Sequence, residues 1–346
     1  MLVAALAATI TMHADSSAET HAPGGLTSVT GLKVGYCSMP GRPTGCTVVL
    51  AEDGAVGGVD VRGSAPGTRE TDLLNPVNIV EKVNAVVLTG GSAFGLDSAS
   101  GVMRYLEERG VGFDTAYGKV PIVPAAVLFD LNVGDAKIRP TADCGYRAAA
   151  SASAGPIAEG NVGAGAGATV GKLAGVARAM RGGLGTASIT TPSGLVVAAL
   201  VAVNAVGDVV DPATNRVIAG VRTPDGKGLA DARSLIRSGA LMQAGAFGRN
   251  TTLGVVATNA TLTKAQATKM AQMAQDGLAR TISPAHTPAD GDTIFALATG
   301  SRPGPPDMMT IGALAADVVA EAVLRAVRAA RGIPGYPAAT DLAPVR

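Results

Sequence analysis

The sequence lacks tryptophan and is poor in other aromatic residues, with five phenylalanines and five tyrosines in 346 residues. It also lacks a charge excess: 28 lysines and arginines face 27 aspartates and glutamates, for a net charge of +1. Nucleic-acid binding domains typically carry a basic face, often with aromatic residues that stack on bases. Since neither feature is present, we expect no nucleic-acid partner.

Long hydrophobic runs are also absent, although 47% of the residues are hydrophobic and only 16% are charged. The longest uninterrupted apolar stretch, residues 195–203, has nine residues, whereas a membrane-spanning helix needs about 20. We therefore expect no membrane partner. The high apolar content instead predicts sheets that are covered on both faces, together with subunit interfaces, and hence a homo-oligomer.

Cysteine and histidine are scarce, which limits metal and triad chemistry. The three cysteines are widely spaced, at Cys37, Cys46 and Cys144. This spacing predicts neither a disulfide framework nor a metal site and fits a reducing compartment. Two of the three histidines precede residue 27, so a histidine-based metal site or a Ser–His–Asp triad would have to use His286. We expect no metal and no cofactor.

The first 26 residues are read as an extension of the folded domain. Residues 2–12 are apolar and are followed by a polar stretch of small residues, which resembles the core of a signal peptide. However, no lysine or arginine precedes this core, and it is short for a signal. We therefore expect a disordered extension and a cytoplasmic protein, with secretion as the alternative.

Hydrophobic periodicity predicts a layered α/β fold. Several predicted strands are continuous apolar runs, which is typical of strands buried on both faces, so helices should lie outside and sheets inside. The strands are predicted at 47–51, 58–62, 84–89, 120–131, 195–203, 208–210, 253–258 and 293–299. The helices are predicted at 92–109, 143–154, 263–280 and 311–331.

The glycine-rich segment GAGAGATVGK, residues 163–172, resembles a phosphate-binding loop in composition. A Walker loop would need glycine where Ala166 stands, and serine or threonine where Leu173 follows the lysine. The spacing of a dinucleotide fingerprint also fails. We interpret the segment as a loop whose missing side chains allow close backbone approach.

Two further segments are ambiguous when read alone. Asp290-Gly291-Asp292 is most simply a turn, with a weak metal pair as the alternative. The threonine pair Thr251-Thr252 is most simply the start of a strand. Their meaning changes when they are considered together with the surrounding blocks of sequence.

Those blocks give a resemblance to a known family. GRNTTLGVVATNATLT, from residue 248, is followed about forty residues later by RTISPAHTPADGDTIFALATG. Five other blocks occur in the expected order: RGSAPGTRETDLL, VVLTGGSAFGL, VPIVPAAVLFDL, RPTADCGY and AVNAVGDVVDP. Together they resemble the L-aminopeptidase/D-esterase family of N-terminal nucleophile hydrolases, which includes β-peptidyl aminopeptidases and endo-type nylon-oligomer hydrolases.

The resemblance implies a four-layer αββα sandwich and a precursor that cuts itself between Asn250 and Thr251. The single domain would then consist of an α subunit, residues 27–250, and a β subunit, residues 251–346, with a flexible C-terminal tail. The family's catalytic positions correspond to Lys172, Asn204, Thr251, Asp290 and Asp292. Relatives have an active-site tyrosine where this sequence has Phe129, so we expect substrate binding there without a hydroxyl group.

The implied mechanism supplies the base that the sequence lacks elsewhere. A free α-amine titrates at about 7.7–8.0, close to neutral pH, so the amine of Thr251 could activate the hydroxyl of the same residue. Asn204 is then a candidate oxyanion donor, and Lys172 would hold it and lower the pKa of the amine. Asp290 and Asp292 would bind the ammonium of Thr251 or the free amine of a substrate.

The expected activity is hydrolysis of small peptides, β-peptides or ω-amino-acid oligomers. The second hypothesis is an acyltransferase of the ornithine-acetyltransferase type, because the acyl group of an ester on threonine can be transferred to an amine instead of water. The third hypothesis is a non-catalytic oligomeric binding protein whose chain is never cleaved.

Overall fold

The computed structural model describes residues 25–239 and 250–342. Its α-helices are α1 (Ser98–Glu107), α2 (Ala142–Ala150), α3 (Ala232–Arg237), α4 (Lys264–Thr281) and α5 (Met308–Arg328). The first eight strands are β1 (Lys33–Ser38), β2 (Gly45–Val61), β3 (Thr68–Arg69), β4 (Lys82–Thr89), β5 (Phe113–Thr115), β6 (Gly118–Val120), β7 (Ala125–Val127) and β8 (Thr169–Val170). The next eight are β9 (Met180–Arg181), β10 (Gly183–Thr190), β11 (Val196–Asn204), β12 (Asp208–Asp211), β13 (Arg216–Ala219), β14 (Thr251–Ala260), β15 (Ile282–Ser283) and β16 (Thr293–Arg302).

The long strand β2 connects the two halves of the main sheet. The strand order is β10-β11-β14-β16-β2-β4-β7-β3. In addition, β1 pairs with the first part of β2, on the side opposite β4. Residues near the start of β2 pair with β1 and β4, whereas its last six residues pair with β16. The prediction of two separate strands at 47–51 and 58–62 was wrong. Gly54, with φ 77°, sits in an irregularity of one continuous strand and does not end it.

Three hydrophobic cores separate four layers. One core lies between α4 and α5 and the outer face of β11, β14 and β16, with Val256 pointing into it. The neighbouring residue Val255 points into a central core that also contains Val49 of β2. The third core lies under α1 and α2 and contains Val48 and Leu50 of β2. Side chains alternate between the faces of each strand, so the predicted αββα sandwich is confirmed.

Close helix packing depends on two glycines. A Cβ atom at Gly58 of β2 would lie 2.4 Å from the backbone nitrogen of Thr268 in α4. A Cβ atom at Gly277 of α4 would lie 2.4 Å from the carbonyl oxygen of Ala316 in α5. The absent side chains let α4 rest directly on the sheet and on its neighbouring helix. This packing holds the outer layer against the strands that form the site.

The helices and later strands lie close to their predicted positions, with two differences. The predicted helix at 92–109 begins as a 3-10 helix, Ser92–Asp97, before α1 starts. The predicted strand at 120–131 is strand only at β6 and β7, because prolines at 121 and 124 withhold the backbone donors that a ladder needs. The segment still runs through the interior, which explains its apolar composition.

The cysteines contradict the prediction that they form no disulfide. Cys37 lies opposite Cys46 in the register of β1 and β2, and α2 places Cys144 over both. Cys37 and Cys144 are joined as a disulfide, and the buried Cys46 sulfur lies 3.3 Å from that of Cys144. Spacing along the chain gave no sign of this convergence. The inference of a reducing compartment from cysteine usage therefore loses its support.

The described ends of the chain bear on the predicted boundaries. Residues 1–24 lie outside the described part, so the predicted extension is described only at Gly25 and Leu26. These two residues belong to the folded domain, since Leu26 is fully buried and its N–H donates to the Thr186 hydroxyl at 2.9 Å. Residues 343–346 also lie outside the described part. Within the described ranges, no helix combines the length and apolar character needed to cross a bilayer.

Candidate active site

Three strands bring the predicted site residues to one end of the sheet. Thr251 is the first residue of β14 and pairs with Asn204, the last residue of the antiparallel strand β11. Strand β16 runs parallel to β14 and starts at Thr293, so Asp292 directly precedes it at the same end. Continuous apolar pairing along these strands fixes the register and thereby places polar residues at their ends.

Thr251 lies against the carbonyl group at the predicted cleavage junction. Its side chain is buried, and its hydroxyl donates a hydrogen bond to the carbonyl oxygen of Asn250. The Asn250 side chain is buried as well, and its Nδ2 donates to the Ala289 carbonyl at 3.2 Å. A hydroxyl and a peptide carbonyl are therefore held together away from bulk solvent.

The side-chain amide of Asn204 is held in one orientation. Its Oδ1 accepts from Lys172 Nζ at 3.0 Å and from the backbone N–H of Thr169 at 3.0 Å. Its Nδ2 donates to the carbonyl oxygen of Phe129 at 3.0 Å. An amide nitrogen carries two hydrogens, so among the described contacts one N–H of Asn204 remains available. This is the donor that an oxyanion beside Thr251 would need.

Lys172 is fully buried beside Asn204 at the end of the glycine-rich segment. Gly171 has φ 71°, and its N–H and that of Lys172 donate to the carbonyls of Gly207 and Val206, both at 2.9 Å. Lys172 Nζ also donates to the carbonyl oxygen of Asn204 at 3.0 Å. Burial lowers the pKa of Lys172 to about 7, an effect opposed by nearby carboxylates. The lysine is therefore close to losing its proton at neutral pH.

The buried lysine predicts a pH-dependent stability. Between its folded pKa of about 7 and its ordinary value of 10.5, the unfolded chain binds more protons at Lys172 than the folded chain does. Stability therefore rises with pH across this window. We expect the urea midpoint of the wild type, relative to that of Lys172→Met, to increase from pH 7 to pH 10. Lys82→Met, at an exposed lysine, should follow the wild type, and parallel curves for Lys172→Met would contradict the assignment.

The two acidic residues have different partners. Asp290 accepts from the Val206 N–H at 3.1 Å and from the Thr287 hydroxyl. Burial, with the charge of Asp292 as a second cause, raises the pKa of Asp290 to about 6. Asp292 accepts at Oδ1 from the Thr252 N–H at 2.7 Å. Asp292 therefore contacts the chain next to Thr251, whereas Asp290 belongs to the environment of Lys172.

Two residues of this cluster were not predicted. Thr287 binds Asp290, and His286 binds Asp292 through its backbone N–H and its ring Nδ1, both at 3.0 Å to Oδ2. Both precede the acidic pair within the block RTISPAHTPADGD. The signal was thus present in the sequence, although His286 was considered only for a metal site or a triad.

The segment after β2 supports the acidic turn from its other side. The backbone N–H of Arg62 donates to the Asp292 carbonyl and that of Ala65 to the Asp290 carbonyl, both at 2.9 Å. A Cβ atom at Gly63 would lie 2.2 Å from the Asp290 carbonyl oxygen, so only glycine fits between them. The residues that follow β2 are therefore a structural partner of the site.

Phe129 contributes its backbone to the site, through the carbonyl that accepts from Asn204. The next residue, Asp130, forms a fully buried ion pair with Arg42 at 2.7 Å and also accepts from the Thr44 hydroxyl at 2.6 Å. Sequence reasoning missed this pair, whose members are 88 residues apart. The pair fixes the segment that carries Phe129. A substrate contact by the phenyl ring stays a prediction.

The layered fold places a hydroxyl-bearing residue at the start of a central strand, with polar groups around it. Comparison with known proteins gives the family. The model of peptidase family S58 matches residues 25–340, and the chain belongs to that family. The protein is thus a hydrolase of amide bonds.

Relatives within the family have related names. An uncharacterized aminopeptidase of Mycobacterium tuberculosis is 47% identical, over 92% of this chain and 98% of the relative. A 6-aminohexanoate-oligomer endohydrolase of a Kocuria species is 28% identical, over 86% of this chain and 84% of the relative. These names favour a hydrolase over an acyltransferase or a non-catalytic binding protein.

Solved structures share the fold. A β-aminopeptidase of a Burkholderia species superposes with a TM-score of 0.64 at 24% identity, covering 90% of this chain and 88% of its own. An L-aminopeptidase D-Ala-esterase/amidase of Ochrobactrum anthropi superposes with a TM-score of 0.66 at 21% identity, covering 91% and 90%. The latter is described as a prototype of the serine aminopeptidases and a variant of the Ntn hydrolase fold.

Proposed function

We propose that the protein is a self-processing N-terminal threonine hydrolase that cuts small peptides, β-peptides or ω-amino-acid oligomers through an acyl ester on Thr251. One arrangement carries the proposal. The Thr251 hydroxyl is hydrogen-bonded to the Asn250 carbonyl oxygen, and Asn204, whose side chain is held in place, is the residue paired with Thr251 on the neighbouring strand. The substrate classes are those in the names of its relatives, which include an aminopeptidase, a β-aminopeptidase and a 6-aminohexanoate-oligomer endohydrolase.

Self-cleavage is the first reaction. The Thr251 oxygen attacks the Asn250 carbonyl carbon, its proton passes to the departing backbone nitrogen, and the acyl group moves from nitrogen to oxygen. This shift breaks the peptide bond and frees the α-amine of Thr251. Water then hydrolyses the ester, which restores the hydroxyl and leaves a carboxylate on Asn250. The α-amine does not exist as a base before this cut. For this first reaction we assign the role of base to Lys172. Burial lowers its pKa to about 7, and its Nζ is hydrogen-bonded to Asn204.

Substrate hydrolysis follows the same path with the free amine as base. The neutral α-amine takes the hydroxyl proton while Thr251 Oγ attacks the substrate carbonyl carbon, and the resulting ammonium protonates the leaving amine. Water, deprotonated by the same amine, then attacks the ester and releases the acid. One residue thus supplies the nucleophile and the base.

The surrounding residues have separate roles in this scheme. The second N–H of Asn204 stabilises the oxyanion, and Lys172 keeps the amide turned so that this N–H faces the reacting carbonyl. Asp292, one residue away from Thr251 through the Thr252 N–H, accepts from the ammonium. Asp290 stabilises the charged form of Lys172, since its charge raises the lysine pKa against the effect of burial.

The mature protein would contain an α subunit ending at Asn250 and a β subunit beginning at Thr251, and we propose that these αβ units form a homo-oligomer. Around the hairpin of β5 and β6, large apolar side chains are exposed on the single chain. These are Ile79, Phe113, Tyr117 and Val120, with exposed fractions of 87%, 44%, 101% and 44%. Such a surface is a natural place for contacts between units.

The proposal is tested by the mass and N-terminal sequence of the purified protein and by its activity. We expect fragments of 250 and 96 residues, the second beginning at Thr251, provided that the N-terminus is retained. The mature protein is then incubated with aminoacyl anilides, β-peptides and 6-aminohexanoate oligomers. We expect hydrolysis of at least one class.

Three results would count against the proposal. An active protein with an uncut chain would contradict the threonine mechanism. A mature protein that transfers an acyl group to ornithine or hydroxylamine faster than to water would favour the acyltransferase. An uncut chain with no activity on any substrate class would favour a protein that never matures.

A further inference from the structure

His286 occupies an unusual position beside the proposed site. Its ring Nδ1 and its backbone N–H both lie 3.0 Å from Asp292 Oδ2, and its φ angle is +54°. A non-glycine residue in this left-handed region is uncommon and is kept there by surrounding contacts. Here the left-handed backbone turns the N–H and the ring toward the same carboxylate oxygen. The side chain is only 19% exposed.

The hydrogen bonds fix which ring nitrogen carries the proton. An ionised carboxylate only accepts, so Nδ1 donates to Asp292, and in the neutral ring Nε2 carries a lone pair. Nε2 is buried and has no partner among the described residues. The ring therefore interacts with the site through Nδ1 and Asp292.

Asp292 has one oxygen that contacts the residue next to Thr251. Oδ2 accepts two hydrogen bonds from His286, whereas Oδ1 accepts one from the Thr252 N–H at 2.7 Å. A carboxylate oxygen has two lone-pair sites. The remaining site on Oδ1 therefore lies beside the residue that follows Thr251.

We propose that His286 is a positioning residue: it holds Asp292 so that Oδ1 receives the ammonium of the freed Thr251 in a single orientation. The inference rests on the proposed function, because that ammonium exists only after cleavage. Without the ring, Oδ2 of Asp292 keeps only the backbone N–H of residue 286. The carboxylate is then held less rigidly, and the amine loses its fixed alignment with the Thr251 hydroxyl. Small errors in the placement of reacting groups can cost about 100-fold in rate.

Three substitutions separate the two ring nitrogens. His286→Gly removes the ring and is compatible with the positive φ. His286→Asn places an amide near the position of Nδ1 and also tolerates this backbone, whereas His286→Gln places its amide near the position of Nε2. All three keep the backbone N–H to Asp292.

We expect His286→Gly to lower kcat by about 10–100-fold with KM little changed, measured on the aminoacyl anilide or oligomer that the wild type cuts fastest. His286→Asn should recover most of kcat, and His286→Gln should not. All three chains should still yield a fragment that begins at Thr251. If His286→Gly fails to fold, as judged by thermal unfolding, the comparison of Asn with Gln decides.

Several results would overturn the inference. These are a wild-type kcat in His286→Gly, a rise in KM alone, which would indicate substrate binding, or rescue by Gln instead of Asn. Each presupposes a wild type that is cut and active. A wild type that is neither cut nor active would instead overturn the proposed function, and this inference with it.

Discussion

Replacing Thr251 by alanine is expected to leave a single uncut chain of 34.1 kDa with no hydrolytic activity. The change removes the hydroxyl oxygen that is hydrogen-bonded to the Asn250 carbonyl. Without cleavage, the α-amine of residue 251 is never freed. Nucleophile and base are lost together, so activity should fall on the order of 10⁶-fold, as when a nucleophile is removed from other hydrolases. Gel electrophoresis, intact mass and the substrate panel measure the two effects.

Two control variants make this result specific. Thr251→Ser keeps the hydroxyl and should still be cut and active. Thr252→Val changes the next threonine, whose hydroxyl is buried without a partner among the described residues and whose backbone N–H to Asp292 is retained. This variant should mature like the wild type. Full processing of Thr251→Ala, or loss of processing in Thr252→Val but not in Thr251→Ala, would refute the assignment of the nucleophile.

The layered fold was predictable because buried strands leave a direct signal in the sequence. The apolar runs at 195–203 and 253–258 became the paired central strands β11 and β14, since only strands covered on both faces are apolar throughout. Physical reasoning alone assigned Thr251 to a strand start and Asp290 to a turn. The family resemblance connected them, and the strand register then showed why they meet.

Other features could not be predicted because they depend on contacts between distant segments. The disulfide joins residues 107 positions apart, and its formation depends on how α2 packs on β1. The ion pair of Arg42 and Asp130 is similar, since Asp130 lies in one of the family blocks but Arg42, 88 residues away, lies in none of them. Gly54 lies between the two strands predicted at 47–51 and 58–62, but it sits in an irregularity within the single strand β2, and Gly58 allows close helix packing. Local sequence gives the element, and only packing decides whether a glycine ends it.

The second large effect is expected at Asn204. Asn204→Ala removes the N–H assigned to the oxyanion, and loss of one such donor typically lowers kcat by about 10²–10³-fold. Self-cleavage should slow as well, because it passes through an oxyanion at the same place. The Thr169 N–H would also lose its acceptor, and Lys172 Nζ would lose one of its two acceptors on Asn204. Thermal unfolding must therefore be measured alongside the rate. Asn204→Asp keeps the acceptor oxygen while it removes the donor, and it should be as slow as Asn204→Ala.

The chain contains a matched control at the other end of the same strand pair. Asn259 of β14 accepts from the Val196 N–H and donates to the Gly194 carbonyl, both at 2.9 Å, in the way that Asn204 accepts from Thr169 and donates to Phe129. Asn259→Ala should destabilise the protein by a similar mechanism and leave kcat unchanged. A kcat that falls equally in both variants would show that the amides matter only for the sheet. A fall confined to Asn204 would identify its amide as part of the catalytic machinery.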